Sequence, residues 1–282
     1  NADSVAVYRG MEIGAAKPSA AERARVPHHL LDVRDPSDPF TAGDFVEATA
    51  AAIREIHGRG KRALVVGGTG FYLKALLFGT WAAGKPDAAF RASLEGVDSA
   101  ELLRRLDAAD PRAALRIQAR DRYRLVRALE VIHQTGRTPS ELEAEVPSTP
   151  VEGLFLWVVE RADGELRDRI RSRSESMVNG GLLDEVNSLR ARWPGARPLS
   201  AVGYAQAVDF LEGRKPEGRQ VAPGICGLTD EISLATRQLV KQQRTWFKNL
   251  RTRLPDGRMG SFVLDRDRGN LSAAFAQLYG ES

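Results

Sequence analysis

The chain is poor in cysteine. Its 282 residues contain one, Cys226, which excludes a disulfide framework and a cysteine-based zinc site within one chain. That usage fits a reducing, cytoplasmic setting. No uninterrupted apolar run is long enough to span a bilayer and no signal-peptide pattern is present, so no membrane partner is expected. The chain also lacks a Gly-x-x-x-x-Gly-Lys-Ser/Thr phosphate loop, and with it the usual cradle for a nucleotide's phosphates. No internal repeat or low-complexity segment occurs. The first residue is Asn1 rather than an initiator Met, which reads as a processed chain or a fragment. A strong charge imbalance is lacking too: the net value is +4, so any message about partners lies in how the charge is distributed.

What is present is an ordinary soluble composition, 43% apolar and 28% charged, in a chain long enough to bury a sizeable core without staples. Residues 3–8 read as the end of a strand and the loop beyond it. Thr41 caps a helix running to about His57, with Phe45, Ala48, Ala52, Ile53 and Ile56 at helical spacing. Arg62 to Val66 reads as a buried parallel strand, Gly67-Gly68 ends it, and Phe71 to Phe78 reads as a helix. Helix, strand, glycine loop and helix form the grammar of a doubly wound α/β domain. From Gly84 the grammar changes. Residues 84–148 show helical patterns only, clearest at Glu101–Leu106 and Arg122–His133, with Gly136 as a stop. Strand character returns at Leu154–Val159. Helices are expected at about 165–178, 182–192, 201–212 and 230–250, a short strand at Phe262–Leu264 and a helix near 271–279. The expected organisation is a catalytic α/β core from 1–83 and 149–282, with a helical insertion at 84–148.

Several residues have the chemistry of a site. The loop Gly67-Gly68-Thr69-Gly70 precedes a helix, where backbone N–H groups can hold an anion, although many α/β domains use glycines there only to turn. Asp3 and Ser4 stand where open sheets bind ligands. A carboxylate there accepts a proton or holds an amine, and the plainer role for Asp-Ser is a cap or turn. Residues 112–137 hold Arg112, Arg116, Arg120, Arg122, Arg124, Arg127 and Arg137 against Asp121 and Glu130, a net of +5. With Tyr123 among them, these arginines suit planar contacts with phosphates and bases, or else form a solvated, salt-bridged face. On the helix at 230–250, Arg237, Lys241, Arg244 and Lys248 follow i, i+4, i+7, i+11 and share a face, while Leu239, Trp246 and Leu250 point toward a core. Arg173 could clamp a diphosphate. His28, His29 and His133 have no metal-like partners nearby and read as structural.

Taken together, these segments resemble the tRNA dimethylallyltransferase (tRNA isopentenyltransferase) family. The resemblance rests on residues 2–11 (Ala-Asp-Ser-Val-Ala-Val-Tyr-Arg-Gly-Met), 14–19 (Gly-Ala-Ala-Lys-Pro-Ser) and 26–32 (Val-Pro-His-His-Leu-Leu-Asp). It continues through 66–73 (Val-Gly-Gly-Thr-Gly-Phe-Tyr-Leu), 121–131 (Asp-Arg-Tyr-Arg-Leu-Val-Arg-Ala-Leu-Glu-Val), 181–186 (Gly-Leu-Leu-Asp-Glu-Val), 202–204 (Val-Gly-Tyr) and 235–247 (Ala-Thr-Arg-Gln-Leu-Val-Lys-Gln-Gln-Arg-Thr-Trp-Phe). The stretches keep the family's order over nearly the whole chain, and the ordered set is highly specific.

The resemblance implies a P-loop NTPase-like parallel-sheet core whose helical insertion grips the anticodon stem-loop. The implied reaction moves a dimethylallyl group from dimethylallyl diphosphate to the exocyclic amine of the adenosine 3′ to the anticodon, with magnesium assisting and the base flipped into the core. Carried over by position, Asp3 holds the attacking amine and takes its proton, Thr69 lies beside the reacting centre, and Arg173 contacts the diphosphate, with Arg237 beside it in role. tRNA contacts fall on Asp3, Ser4, Val5, Ala6, Thr69, Arg91, Tyr123, Arg124, Leu125, Val126 and Arg127. The same holds for Lys241, Gln242, Gln243, Arg244, Thr245, Trp246, Phe247 and Lys248. No metal ligand is expected from the chain itself, and a monomer is expected. The family's phosphate loop, which cradles the diphosphate and helps hold magnesium, would precede Asn1. The chain as written is therefore expected to have little transferase activity, to be recovered by restoring that segment. Ala6, Ala205 and Gln242 also depart from the family's usual polar or basic residues. The nearest alternative is an adenylate isopentenyltransferase, which has no need of the arginine-rich insertion. A small-molecule kinase on the same core and a binding-only remnant are the others.

Overall fold

The computed structural model describes residues 1–81, 84, 86–216, 218 and 220–263. The chain divides into two compact units. One joins Asn1–Lys74 to the chain from Glu152 onward, and the other is Ala75–Val151.

The first segment opens in turns and then forms α1 (Ala20–Arg25), α2 (Ala42–Gly58) and α3 (Gly70–Phe78). Local chemistry sets the starts. Thr41 caps α2 as expected: its Oγ1 accepts the Asp44 N–H at 3.2 Å, and the Asp44 carboxylate accepts the Thr41 N–H at 2.8 Å. Ser19 and Glu22 make the same reciprocal pair at α1. Phe45, fully buried on α2, stacks on Tyr72 of α3 with ring centroids 4.4 Å apart.

The second unit is helical throughout its described residues. It carries α4 (Ala88–Ser93), α5 (Ser99–Ala109), α6 (Pro111–Ala114), α7 (Arg122–Thr135) and α8 (Pro139–Ala144). Asp87, Asp98, Asp110, Asp121 and Thr138 cap the starts of these five in turn, and Gly136 closes α7 at φ +66°. Leu94, Leu102, Leu106, Leu125 and Ala128 form its core.

The chain returns as β1 (Leu156–Glu160), α9 (Asp163–Asn179), α10 (Leu182–Arg192), α11 (Tyr204–Leu211), α12 (Gly224–Arg251) and β2 (Met259–Val263). β1 and β2 pair in parallel, from Leu156 opposite Met259 to Glu160 opposite Val263. A core of Met11, Val178, Leu182, Val186, Tyr204 and Ile232 ties the N-terminal turns to α9–α12. The architecture is mixed α/β, with a small parallel sheet and many helices. Among the described residues no helix is long and apolar enough to cross a membrane.

Three expectations need correction. Residues 62–66 form no strand, and Leu64 and Val66 are 60% and 62% exposed. A buried parallel strand needs a neighbour's hydrogen-bond ladder and two covered faces. Among the described residues, one backbone–backbone bond reaches this stretch from outside, Ala2 N–H to Val66 C=O at 2.7 Å. Residues 3–8 are a turn, with a lone bridge from Tyr8 to Arg34 in place of a strand. Leu239 is exposed rather than turned toward a core. The helix expected near 271–279 lies outside the described residues.

Candidate active site

The site begins at the turn of Asp3. Its Oδ1 accepts the N–H groups of Val5 (2.7 Å) and Ala6 (3.1 Å), the bond pattern by which Asp shapes a turn. The other carboxylate oxygen carries no hydrogen bond among the described residues. Asn1 anchors the turn from behind, its Oδ1 accepting the Asp3 N–H and its Nδ2 donating to Leu30 C=O at 2.9 Å. Thr69 is brought to the same place: its Oγ1 accepts the Ser4 N–H at 2.9 Å and donates to Ser4 Oγ at 3.2 Å. Asp3 and Thr69, 66 positions apart, thus share one hydrogen-bonded corner.

The glycine loop does something other than what its composition promises. The Thr69 N–H donates to Ala2 C=O at 3.2 Å, so this amide is committed inside the protein. A Cβ on Gly67 would stand 2.3 Å from the Ala2 backbone, and one on Gly70 would stand 2.4 Å from the Trp246 indole. These glycines admit the protein's own chain. Gln243 donates to Gly68 C=O at 3.0 Å. Gln243 and Trp246 therefore sit on the loop, and Phe247 meets Trp246 edge to face at 5.3 Å. An unbroken run of a helix cannot all face a ligand, which is why these two residues of 241–248 turn inward.

The outward face of α12 carries Arg237, Lys241, Gln242, Arg244, Thr245 and Lys248, all exposed. Arg244 pairs with Asp163 at 2.7 Å. Arg237, Lys241 and Lys248 hold no ion pair among the described residues, and neither does Arg173, exposed on α9. All four are exposed.

In the other unit, Glu130 organises the arginines. It is fully buried, yet it accepts from Arg91 Nε (2.7 Å) and Nη2 (2.8 Å), Arg127 Nη1 (2.5 Å) and the Asp87 N–H (2.7 Å). Burial alone would raise its pKa. The two guanidinium groups and the amide outweigh that and draw it down to about 2. The same bonds push Arg91 upward. The Arg91 guanidinium lies 6.0 Å from the centre of the exposed Tyr123 ring, and Arg127 also donates to Gly84 C=O at 3.1 Å. Arg122 binds the carbonyls of Leu94 and Val97, while Arg116 pairs with Glu143 and Arg137 with Glu145, each at 2.6 Å. Much of the positive run is thus structural. Arg124 remains 68% exposed beside Asp121. Leu125 is fully buried in the core, correcting its place among RNA contacts; Val126 is half-buried.

Sequence reasoning singled out neither Glu130 nor Glu185 as a candidate site residue. For Glu130 the signal was the i, i+3 spacing from Arg127. Among the described residues no group of three or more His, Cys, Asp or Glu side chains could hold a metal ion.

Residues 6–250 match the IPP transferase family. The chain belongs to this family. The enzyme class expected from the sequence, a prenyl transferase, stands on that membership. This IPP transferase is 44% identical to a protein of Citrifermentans bemidjiense named tRNA dimethylallyltransferase 1, over 88% of this chain and 79% of the relative. It is 41% identical to a tRNA dimethylallyltransferase of Xanthomonas oryzae, over 99% of this chain and 85% of the relative. Among solved structures, the tRNA delta(2)-isopentenylpyrophosphate transferase of Staphylococcus epidermidis superposes with a TM-score of 0.62 at 26% identity, covering 99% of this chain and 89% of that one. A eukaryotic dimethylallyltransferase acting on tRNA superposes with a TM-score of 0.76 over all of this chain and 73% of that one; at 23% identity it speaks for the fold alone.

Proposed function

We propose that this IPP transferase moves a dimethylallyl group from dimethylallyl diphosphate to the exocyclic amine of the adenosine 3′ to the anticodon of a tRNA. The observation that carries the reading is the Asp3 carboxylate. One oxygen is fixed by two amides, the other is open, and the Thr69 hydroxyl is bonded to the neighbouring Ser4. A carboxylate so held can orient an amine and take its proton without reorganising. The amine's lone pair forms the new C–N bond at the first carbon of the dimethylallyl group. The C–O bond breaks, its electron pair leaves with diphosphate, and the amine's proton passes to the open Asp3 oxygen.

Arg173 and Arg237 are assigned to the departing diphosphate, where a guanidinium fork meets two phosphate oxygens at once. Lys241, Lys248, Arg124 and Tyr123 are assigned to the tRNA, the cations to phosphates and the exposed ring to a base. The magnesium expected from the resemblance would stay with the diphosphate and offset its charge. A P-loop NTPase-like core, a monomer and a cytoplasmic location belong to the same reading.

The test supplies the full-length protein with labelled dimethylallyl diphosphate and either an anticodon stem-loop or AMP. Label is expected on the stem-loop adenosine. Transfer to AMP in preference to the stem-loop overturns the proposal. Asp3→Ala is expected to slow single-turnover transfer by about 10²- to 10⁴-fold, the range for general acid–base groups, with tRNA affinity little changed. An unchanged rate removes Asp3 from the chemistry.

A further inference from the structure

Two motifs of the sequence, residues 181–186 and 202–204, have no part in the reaction described so far. Each sends one side chain to the same place. Glu185 of α10 receives three successive backbone N–H groups: Glu12 at 2.9 Å and Ile13 at 2.7 Å on Oε2, and Gly14 at 3.1 Å on Oε1. Consecutive amides converging on one point make an anion-binding nest. Here the anion is the protein's own. Tyr204, fully buried at the start of α11, donates its hydroxyl to Glu185 Oε1 at 2.7 Å and accepts the Ala15 N–H at 3.1 Å. Its ring lies so close to Gly14 that a Cβ there would stand 2.5 Å away.

The segment so pinned is tied in turn to Asp3. Lys17, whose side chain is 1% exposed, sends its three donors to Tyr8 C=O (2.7 Å), the Glu12 carboxylate (2.8 Å) and the Asp32 carboxylate. The Asp32 and Val33 N–H groups donate to Ala6 and Val7 C=O, and Ala6 N–H is one of the two bonds on Asp3 Oδ1. A continuous series of polar contacts therefore runs from Glu185 through residues 12–17, Lys17 and Asp32 to the turn that aims Asp3.

We propose that Glu185 is a positioning residue for the transfer reaction, an internal anion that fills the 12–14 nest and thereby fixes the orientation of Asp3. The proposal rests on the role given to Asp3 above. It assigns Glu185 no contact with substrate.

The experiment measures single-turnover transfer and tRNA affinity for Glu185→Ala, Glu185→Gln, Asp3→Ala and the Asp3→Ala/Glu185→Ala pair in the full-length protein. Formate is added against chloride at equal ionic strength. Glu185→Ala is expected to lose about 10²-fold in rate, the scale of a small misplacement in an active site, with tRNA affinity held. Formate, entering the emptied nest, restores at least part of that rate. Glu185→Gln loses rate too, because its amide meets N–H donors, but gains nothing from formate because its side chain still fills the space. The double variant is no slower than Asp3→Ala, as expected when one residue acts through the other. A wild-type rate in Glu185→Ala overturns the proposal, and so do a formate-insensitive loss or losses that multiply in the double variant. If Glu185→Ala does not fold, Glu185→Gln carries the test: slowed transfer at unchanged tRNA affinity supports the proposal and full activity overturns it. An unaltered rate in Asp3→Ala alone strikes the role of Asp3, while the formate response still reports on the nest.

Discussion

Glu130 concentrates the energetics of the helical unit in one carboxylate. Its partners Arg91 and Arg127 are half-buried, and both lose their counter-charge if it is removed. Glu130→Gln is expected to cost about 3 kcal/mol, the scale of breaking a buried pair by deleting one member. Chemical denaturation checks it, and a loss below 1 kcal/mol would mean that water already reaches the pair. The pH dependence has a definite sign. The carboxyl titrates near 2 in the fold and near 4.5 when unperturbed, so the unfolded chain holds the proton more tightly. The stabilisation is complete above about pH 4.5 and drains away as pH falls toward 2. Over that window the glutamine variant is expected to show a flatter acid-unfolding limb than the parent. Arg127 and Glu130 were visible in the sequence within the positive run, and Arg91 only as a residue carried over from the resemblance. Their mutual contact was not, because Arg91 and Glu130 come from different helices.

At the scale of elements, those governed by neighbouring residues were legible. The Thr41 capping box set the start of α2, Gly136 set the end of α7, and the apolar run at Leu154–Val159 became β1. Elements that depend on distant partners were not. The stretch 62–66 has the composition of a buried strand, but pairing decides whether it becomes one. The glycines after it read as a ligand cradle, while their spacing requirement comes from Ala2 and Trp246. Gly70→Ala drives a methyl group into the Trp246 indole. The expected cost is about 1–3 kcal/mol, typical of overpacking, and it should shrink in a Trp246→Leu background. An equal cost in both backgrounds, read from thermal unfolding, would place the clash elsewhere.

For the molecule as a whole, net charge is a poor guide to where an RNA backbone would meet it. The +4 balance hides the open cations Arg237, Lys241 and Lys248 of α12 and an arginine run already half spent on internal partners. The sequence exposed the family and the count of arginines. It did not expose which of them remain available, because that depends on carbonyls and carboxylates brought in by folding. Arg124 and Arg127 therefore should not behave alike. Replacing Arg124 by Ala is expected to lower the slope of log K against log salt by about one, as for a lost phosphate contact. Arg127→Ala should change the slope less and stability more, because its charge is already matched by Glu130. Anisotropy titrations of labelled tRNA over a salt series separate the two, and equal slopes would assign both arginines to the same role.

The indole of Trp246 lies against Gly70, one residue past Thr69. That contact makes the corner optically readable. The chain's other tryptophans are Trp81, Trp157 and Trp193. With those three replaced by phenylalanine, the remaining emission comes from a ring touching the glycine loop. Any ligand that shifts the loop shifts the colour or yield of that emission in real time, so binding can be followed apart from turnover without attaching a dye.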